Sequence, residues 1–205
     1  MDAVPGLYPT IGWKIGSEVV YMAEAYSSDA ATVIDWCRDI SLFDNYDDIS
    51  HLISTTSGGG NVFFVPAFGG IQAPVEDASV ATGFVGMGQT ARKEEMLRAA
   101  VESLAFRAFQ MCHVMAKETG TFQSMRVDGG VSKNDFLMQL IADLTKVKVE
   151  RPACIETAAH GAAYLAGLTS GAWQSRQQLV SLYKIERVFK PVINSIELNL
   201  INRIN

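Results

Sequence analysis

The beginning of the chain alternates apolar and polar positions in a way that predicts a β-hairpin. Residues Thr10–Ile15 and Glu18–Met22 are two runs rich in β-branched and aromatic side chains, and they flank the pair Gly16-Ser17. Two such runs around a short glycine-containing turn are typical of paired antiparallel strands. We therefore expect the chain to open with two strands joined by a tight turn.

The middle of the chain predicts helices separated by short apolar strands. Ser28 and Asp29 favour the N-cap of a helix that ends near Ser41, because small polar side chains satisfy free amides at a helix start. The remaining elements are a weaker helix over Asp48–Ser54, strands over Val62–Val65 and Gly83–Gly86, and a long helix over Lys93–Glu118. In this long helix, apolar residues recur at helical spacing over a wide stripe, which indicates a buried face.

The final third alternates strand and helix. A strand over Ser124–Val127 leads through a Gly-Gly turn to a helix over Lys133–Lys146, and a strand over Val147–Glu150 leads to a helix over Thr157–Leu168. This order predicts an α/β domain with a parallel section in its sheet. The alanines between Ala158 and Ala166 further predict that the last helix lies close against a sheet, because small side chains permit a short separation.

Composition places the chain among ordinary globular proteins. Apolar residues make up 48% and charged residues 19% of the 205 residues, and the formal net charge is −5. Lys and Arg form no cluster, which argues against a nucleic-acid partner. No run approaches the ~18 apolar residues of a transmembrane segment, and the N-terminus lacks the basic and apolar regions of a secretion signal.

The cysteines predict a reduced protein without a metal site. Cys37, Cys112 and Cys154 are odd in number and widely spaced, so no pair has the Cys-x-x-Cys spacing of a metal or redox motif. The simplest interpretation is a cytoplasmic protein whose thiols are buried and have no catalytic role.

The turn after the strand Ser124–Val127 carries the strongest chemical signal. Asp128 lies at the end of the strand, and Gly129 and Gly130 leave the backbone open to a ligand. The following helix directs its free amides and positive dipole end to the same place, and ligands of α/β sheets bind there. Ser132 and Asn134 can cap the helix or bind a ligand. A well-capped connection with Asp128 as a turn-former is the alternative, because the motif is no complete phosphate-binding fingerprint.

The motif Val127–Gly130 with Asn134 and Phe136–Gln139 resembles the adenosine-side motif of the glycerol kinases within the FGGY carbohydrate kinases. The resemblance runs from about Leu7 to Pro191. The other segments that resemble the family, in chain order, are Phe64–Phe68, Ala73-Pro74, Gly86-Met87, Leu97–Arg107, Glu150–Pro152 and Gly161–Gly167. The residues Gly12–Gly16 and Gln72–Pro74 are most similar to a divergent animal branch of the family.

The resemblance implies the fold and the domain organisation. It implies the second of two actin-like (ribonuclease H-like) domains, an α/β domain with a mixed sheet flanked by helices, incomplete at its N-terminus. Residues 7–191 would form this nucleotide-side domain, between a leader of residues 1–6 and a tail of residues 192–205. ATP and Mg²⁺ would lie in the cleft between the two domains.

The resemblance also implies the binding residues. It places Gly129, Gly130 and Asn134 against ATP, with Asp128, Gly161 and Ala162 in supporting positions.

Two positions depart from the family pattern. Ala31 and Asp35 stand where the family has a glycine and a glutamine close to the nucleotide. Ala31 adds a methyl group, and Asp35 adds a negative charge that would repel phosphate unless a metal ion or a basic group intervenes. Asp35 as a solvated residue of the helix surface is the other interpretation.

The expected function is a kinase activity shared with a missing half. The family's catalytic aspartate, its phosphate strand and most contacts to glycerol or a related polyol belong to the upstream part, so we expect no catalytic residue and no metal ligand here. We expect the chain alone to fold poorly and to be inactive. The alternatives are a kinase for another sugar or polyol, and a pseudokinase or truncated isoform that acts as an interaction module. A homo-oligomer stays open.

Overall fold

The computed structural model describes residues 6–56 and 61–192 of the chain. These residues form two compact units, of which the second runs from Gln123 to Val192 and the first lies before it. Most of the predicted leader and nearly all of the predicted tail, residues 1–5 and 193–205, lie outside the described residues. The predicted domain boundaries therefore stay a prediction.

The first unit begins with the predicted hairpin. Strand β1 (Tyr8–Ile15) pairs antiparallel with β2 (Glu18–Glu24), and Gly16 adopts a φ of 59° in the turn between them. A positive φ is the conformation that glycine adopts without the steric cost of a side chain. The prediction of two strands and a tight turn is confirmed.

Helices and a short two-stranded sheet complete the first unit. Ser28 occupies the predicted N-cap of α1, but its side chain makes no capping bond to the helix. Instead, its hydroxyl accepts from Gln72 Nε2 at 3.0 Å, and its backbone amide donates to Gln72 Oε1 at 2.8 Å. The elements are α1 (Asp29–Asp39), α2 (Ile49–Ser54), the antiparallel strands β3 (Phe63–Val65) and β4 (Gly83–Val85), and α3 (Lys93–Thr119).

The core of the first unit consists of an aromatic cluster and the buried face of α3. Trp36 of α1 stacks on Phe64 of β3, with ring centroids 5.4 Å apart, and on Phe84 of β4. On α3, the side chains of Leu97 and Val101 are fully buried. Such burial contributes roughly 1.5–3 kcal/mol for each large apolar side chain, so these contacts account for the predicted buried stripe of the helix.

The second unit contains a three-stranded mixed sheet. Strand β5 (Ser124–Arg126) pairs parallel with β6 (Lys148–Pro152), which pairs antiparallel with β7 (Ile185–Phe189). The predicted parallel section is confirmed, whereas β7 was not predicted. The helices are α4 (Asp135–Thr145), α5 (Thr157–Ser170) and α6 (Arg176–Val180).

Helix α5 does not pack as its alanines predicted. Residues Ala162, Ala163 and Ala166 are exposed, and Gly167 is the buried residue of the helix. The three-stranded sheet of this unit packs against α4 instead. A Cβ added at Gly167 would lie 2.0 Å from the ring of Trp173, so this glycine lets the indole lie directly on the helix backbone.

None of the described helices is long and apolar enough to cross a membrane. The thiols divide into three environments: Cys37 is buried, Cys112 is half-buried and Cys154 is exposed. The prediction of buried thiols is therefore correct for Cys37 and wrong for Cys154, which lies on the surface after β6.

We expect Gly167→Ala to destabilise the second unit. Its methyl group would overlap the Trp173 ring, and overpacking of this kind costs about 1–3 kcal/mol. Gly161→Ala is the matched control on the same helix, because a Cβ there meets nothing within 4 Å. Thermal unfolding of both variants measures the difference. A Gly167→Ala variant as stable as the control would contradict the close Trp173 contact.

We expect the cysteines to react in the order of their exposure. Burial raises the pKa of Cys37 to about 12, which leaves on the order of one thiolate in ten thousand at pH 8. Cys154 is exposed and should be labelled first by a thiol reagent. Mass spectrometry of the labelled protein measures the order, with urea-unfolded protein as the control in which all thiols react. Fast labelling of Cys37 in the folded protein would contradict its burial.

Candidate functional site

The turn after β5 lies at the edge where the two parallel strands end. The backbone amide of Val127 donates to Glu150 O at 3.1 Å, which extends the pairing of β5 with β6. Two residues further on, the amide of Gly129 donates at 3.0 Å to the carbonyl of Ile155. Ile155 lies in the loop between β6 and α5, so the glycine turn and the beginning of α5 are brought to the same edge of the sheet.

Both glycines of the turn face open space. A Cβ added at Gly129 or at Gly130 would meet nothing within 4 Å. Gly129 has a φ of 76°, which disfavours any residue with a side chain, whereas Gly130 has no such requirement. Since no packing explains the second glycine, it leaves the backbone of the turn accessible to a ligand.

The helix after the turn begins two residues later than predicted. Gly130–Lys133 form a 3-10 turn, and α4 begins at Asp135 rather than at Lys133. Asn134 is the N-cap: its Oδ1 accepts a hydrogen bond from the amide of Leu137 at 2.9 Å. Ser132 does not cap the helix, because its hydroxyl donates to Gly129 O at 2.7 Å. The turn thus has its own internal bonds.

The supporting candidates lie on the same unit as the turn. Asp128 is exposed between β5 and the glycines. Gly161 and Ala162 are exposed in α5, the helix that begins after the Ile155 loop. The structure therefore places Asp128, Gly129, Gly130 and Asn134 in one turn.

Ala31 and Asp35 belong to the first unit, where both are exposed on α1. Asp35 is more than a solvated side chain: its Oδ1 accepts from the hydroxyl of Tyr46 at 2.6 Å. Arg38 donates to the same hydroxyl, and its guanidinium lies 5.3 Å from the Tyr46 ring centroid. The hydrogen bond to Asp35 is the main reason that the pKa of Tyr46 is raised above its ordinary value.

Sequence reasoning missed the partners of these residues. Tyr46 was not among the candidates, although an aromatic hydroxyl in the loop after a helix that carries Asp35 and Arg38 is a usable signal. Arg151 was noted only as part of a motif, but its Nη1 donates to Ser132 O at 2.8 Å. A buried arginine within a strand is the signal that marks such a contact.

The charged residues form no evident metal centre. Within residues 6–56 and 61–192, no group of three or more His, Cys, Asp or Glu side chains is arranged to hold a metal ion. Mg²⁺ in phosphate-transferring proteins usually needs only one or two carboxylates besides the phosphates. The candidate site consists of a backbone turn and a helix start.

A family model matches most of the chain. Residues 2–170 match the model described as the C-terminal domain of the FGGY family of carbohydrate kinases. This range includes the glycine turn and the whole of α5.

Curated relatives match over nearly the whole chain but extend far beyond it. Glycerol kinase 5 of Danio rerio is 40% identical over 190 residues, which are 92% of this chain and 36% of the relative. Glycerol kinase of Borreliella afzelii is 42% identical over 188 residues, which are 90% of this chain and 38% of the relative. The chain thus spans little more than a third of these proteins.

The fold also matches a solved kinase. The crystal structure of Plasmodium falciparum glycerol kinase with ADP superimposes with a TM-score of 0.82 at 26% identity, over 97% of this chain and 42% of that one. The predicted α/β, actin-like fold class is confirmed by this likeness.

We expect two substitutions of Asn134 to test the role of its side-chain oxygen as the N-cap of α4. Asn134→Ala removes the cap of α4 and should cost about 1 kcal/mol. Asn134→Asp keeps an oxygen that can accept from Leu137, so its stability should stay near that of the parent protein. Urea unfolding measures both. Equal losses in the two variants would contradict the capping role of the side-chain oxygen.

Proposed function

This chain belongs to the FGGY family of carbohydrate kinases, as its C-terminal domain, and from this we propose that it is the ATP-binding part of a glycerol kinase. The parent enzyme would transfer the γ-phosphoryl group of ATP to a terminal hydroxyl of glycerol and give glycerol 3-phosphate. The similarity to glycerol kinases of animals and bacteria over about nine tenths of the chain supports this substrate.

The accessible glycine turn is the observation that carries the proposal. Gly129 and Gly130 present backbone at the carboxyl end of a parallel strand, with open space where side chains would be. The start of α4, capped by Asn134, adds amides and a positive dipole end, which attract an anionic nucleotide. We therefore assign Gly129, Gly130 and Asn134 to the nucleotide, with Asp128, Gly161 and Ala162 as neighbours.

The contacts of Asp35 bear on nucleotide binding by the first unit. The family resemblance is the ground for assigning Ala31 and Asp35 of α1 to the nucleotide as well. Tyr46 donates a hydrogen bond to the Asp35 carboxylate, and Arg38 donates one to the Tyr46 hydroxyl, so the negative charge at this position is partly compensated through Tyr46. We propose that these partners permit the binding of ATP despite the acidic side chain.

Mg²⁺ would reach the site with ATP. When bound, the ion would neutralise charge on the phosphates that are to be transferred. The described residues offer no ready-made carboxylate cluster for it. This fits an ion that is held by the nucleotide's phosphates and by one or two carboxylates at most.

We propose that the catalytic base and the polyol contacts belong to the part of the enzyme that precedes this domain. The chain spans 36–38% of the relatives that it matches. Phosphoryl transfer needs a group that orients the attacking hydroxyl and a pocket for the acceptor, and the turn supplies neither. The chain alone should bind nucleotide at most, and should not phosphorylate glycerol.

Two other functions compete with this proposal. A different polyol or sugar as the acceptor is compatible with the family, whose members are carbohydrate kinases. A pseudokinase that serves as an interaction module is favoured by Ala31 and Asp35, if their methyl group and charge abolish nucleotide binding. The first alternative changes only the acceptor, whereas the second predicts no ATP binding in any form of the protein.

The test is a titration of the chain with Mg-ATP, in which calorimetry measures binding and thermal unfolding measures stability. A ligand that binds only the folded state raises stability by about 2.7 kcal/mol at a hundredfold excess over its dissociation constant. Gly130→Val should abolish this effect, because its side chain would fill the open space in front of the turn. Gly83→Val on β4 is the matched control, since a Cβ there also meets nothing within 4 Å.

The outcomes separate the candidate functions. Saturable binding that is lost in Gly130→Val and kept in Gly83→Val supports the nucleotide site. A folded chain that binds no ATP, alone or joined to its upstream half, would support the pseudokinase. Glycerol 3-phosphate formation by the chain alone would contradict the proposal that the catalytic base lies outside this domain. If the chain joined to its upstream half prefers another polyol, the proposed acceptor changes.

A further inference from the structure

We propose that Arg151 is a positioning residue, which holds the Gly129-Gly130 turn in its nucleotide-binding shape without touching the nucleotide. The inference rests on the proposed function of the turn. It assigns a specific task to a side chain that comes from the neighbouring strand β6 and is 8% exposed.

The guanidinium of Arg151 spans the space between the turn and β7. Its Nη1 donates to the carbonyl of Ser132 and to Asp135 Oδ1, both at 2.8 Å. Its Nε donates to Glu186 Oε2 at 2.7 Å. The ring of Phe189 lies 5.4 Å from the guanidinium carbon. One planar group thus connects the 3-10 turn, the first residue of α4 and strand β7.

Ser132 transmits this contact to the first glycine. It is 2% exposed, and both its amide and its hydroxyl donate to the carbonyl of Gly129, at 3.1 Å and 2.7 Å. The amide of Gly129 is held at the same time by Ile155 O. Gly129 is therefore anchored on both sides, and the anchor through Ser132 depends on Arg151.

The geometry requires arginine rather than a positive charge alone. The hydrogen bond to Glu186 is the main reason that the pKa of Arg151 is raised above its ordinary value, so the group is a cation at every accessible pH. A lysine ammonium is a compact charge on a single stem and cannot reach Ser132 O and Glu186 together in the way that a planar fork does.

The hydrogen-bond partners of Arg151 differ in how readily water can replace the arginine. Glu186 and Asp135 are 49% and 41% exposed, so water can replace Arg151 at either carboxylate. The Ser132 carbonyl accepts in a buried place, where a lost donor costs the full desolvation of the group. Loss of Arg151 should therefore disturb the turn more than it disturbs the sheet.

The test compares Arg151→Lys with Glu186→Thr. The threonine is too short to reach Arg151, so this control breaks the ion pair on β7 and leaves the contact to Ser132 intact. The experiment measures ATP affinity, thermal stability and the ¹⁵N amide resonances of the glycines. It uses this chain or the proposed longer enzyme, whichever unfolds cooperatively.

We expect Arg151→Lys to weaken ATP binding by about tenfold, the equivalent of one hydrogen bond to a charged group. The Gly129 and Gly130 resonances should shift in this variant. Glu186→Thr should bind ATP within about twofold of the affinity of the unsubstituted protein, with these resonances unchanged and a smaller loss of stability, because the ion pair on β7 is half-exposed.

The result that would overturn the proposal is Arg151→Lys with parent-like affinity and unchanged glycine resonances. Equal effects of both variants would also overturn it, because they would show a general role in stability. If the unsubstituted protein binds no ATP, the proposed function fails, but the glycine resonances still decide whether Arg151 positions the turn.

Discussion

The parallel pairing of β5 with β6 is the constraint on which the candidate site depends. It brings the carboxyl ends of both strands to one edge, where the amide of Gly129 reaches the carbonyl of Ile155. Without this pairing, the glycine turn and the start of α5 would be unrelated loops. The two anchors of Gly129, through Ile155 and through Ser132, keep the turn in place, while the Cβ positions of Gly129 and Gly130 meet nothing within 4 Å.

The site therefore combines a fixed backbone with open space. Gly129 is required by its positive φ, whereas Gly130 is not required by its conformation or by its packing, which is why the proposal gives it a binding role. Asn134 caps α4 through Oδ1, which leaves its amide nitrogen as the group that can donate to a ligand. A site of this kind binds an anionic ligand through amides and a helix dipole rather than through basic side chains.

Membership of the FGGY carbohydrate kinases is the basis for the proposal that this domain binds the nucleotide and that the catalytic group belongs to another part of the enzyme. The matched relatives are about two and a half times as long as this chain, which is why the proposal divides the kinase reaction between this domain and the remainder. The Asp35 carboxylate accepts a hydrogen bond from the Tyr46 hydroxyl, which itself accepts one from Arg38. The isolated acidic side chain that the sequence suggests is part of a small polar cluster.

The sequence by itself determined the hairpin, the helices α1 to α5, the parallel strands and the glycine turn, because apolar periodicity, capping residues and glycines act within a few neighbouring residues. Tertiary structure decided the rest. Ser28 bonds to Gln72, Arg151 reaches Ser132, and α5 exposes its alanines while Trp173 covers Gly167. Strand β7 was missed because only its pairing with β6 defines it. These features depend on partners that are distant in sequence or on packing, and local patterns carry no information about such partners.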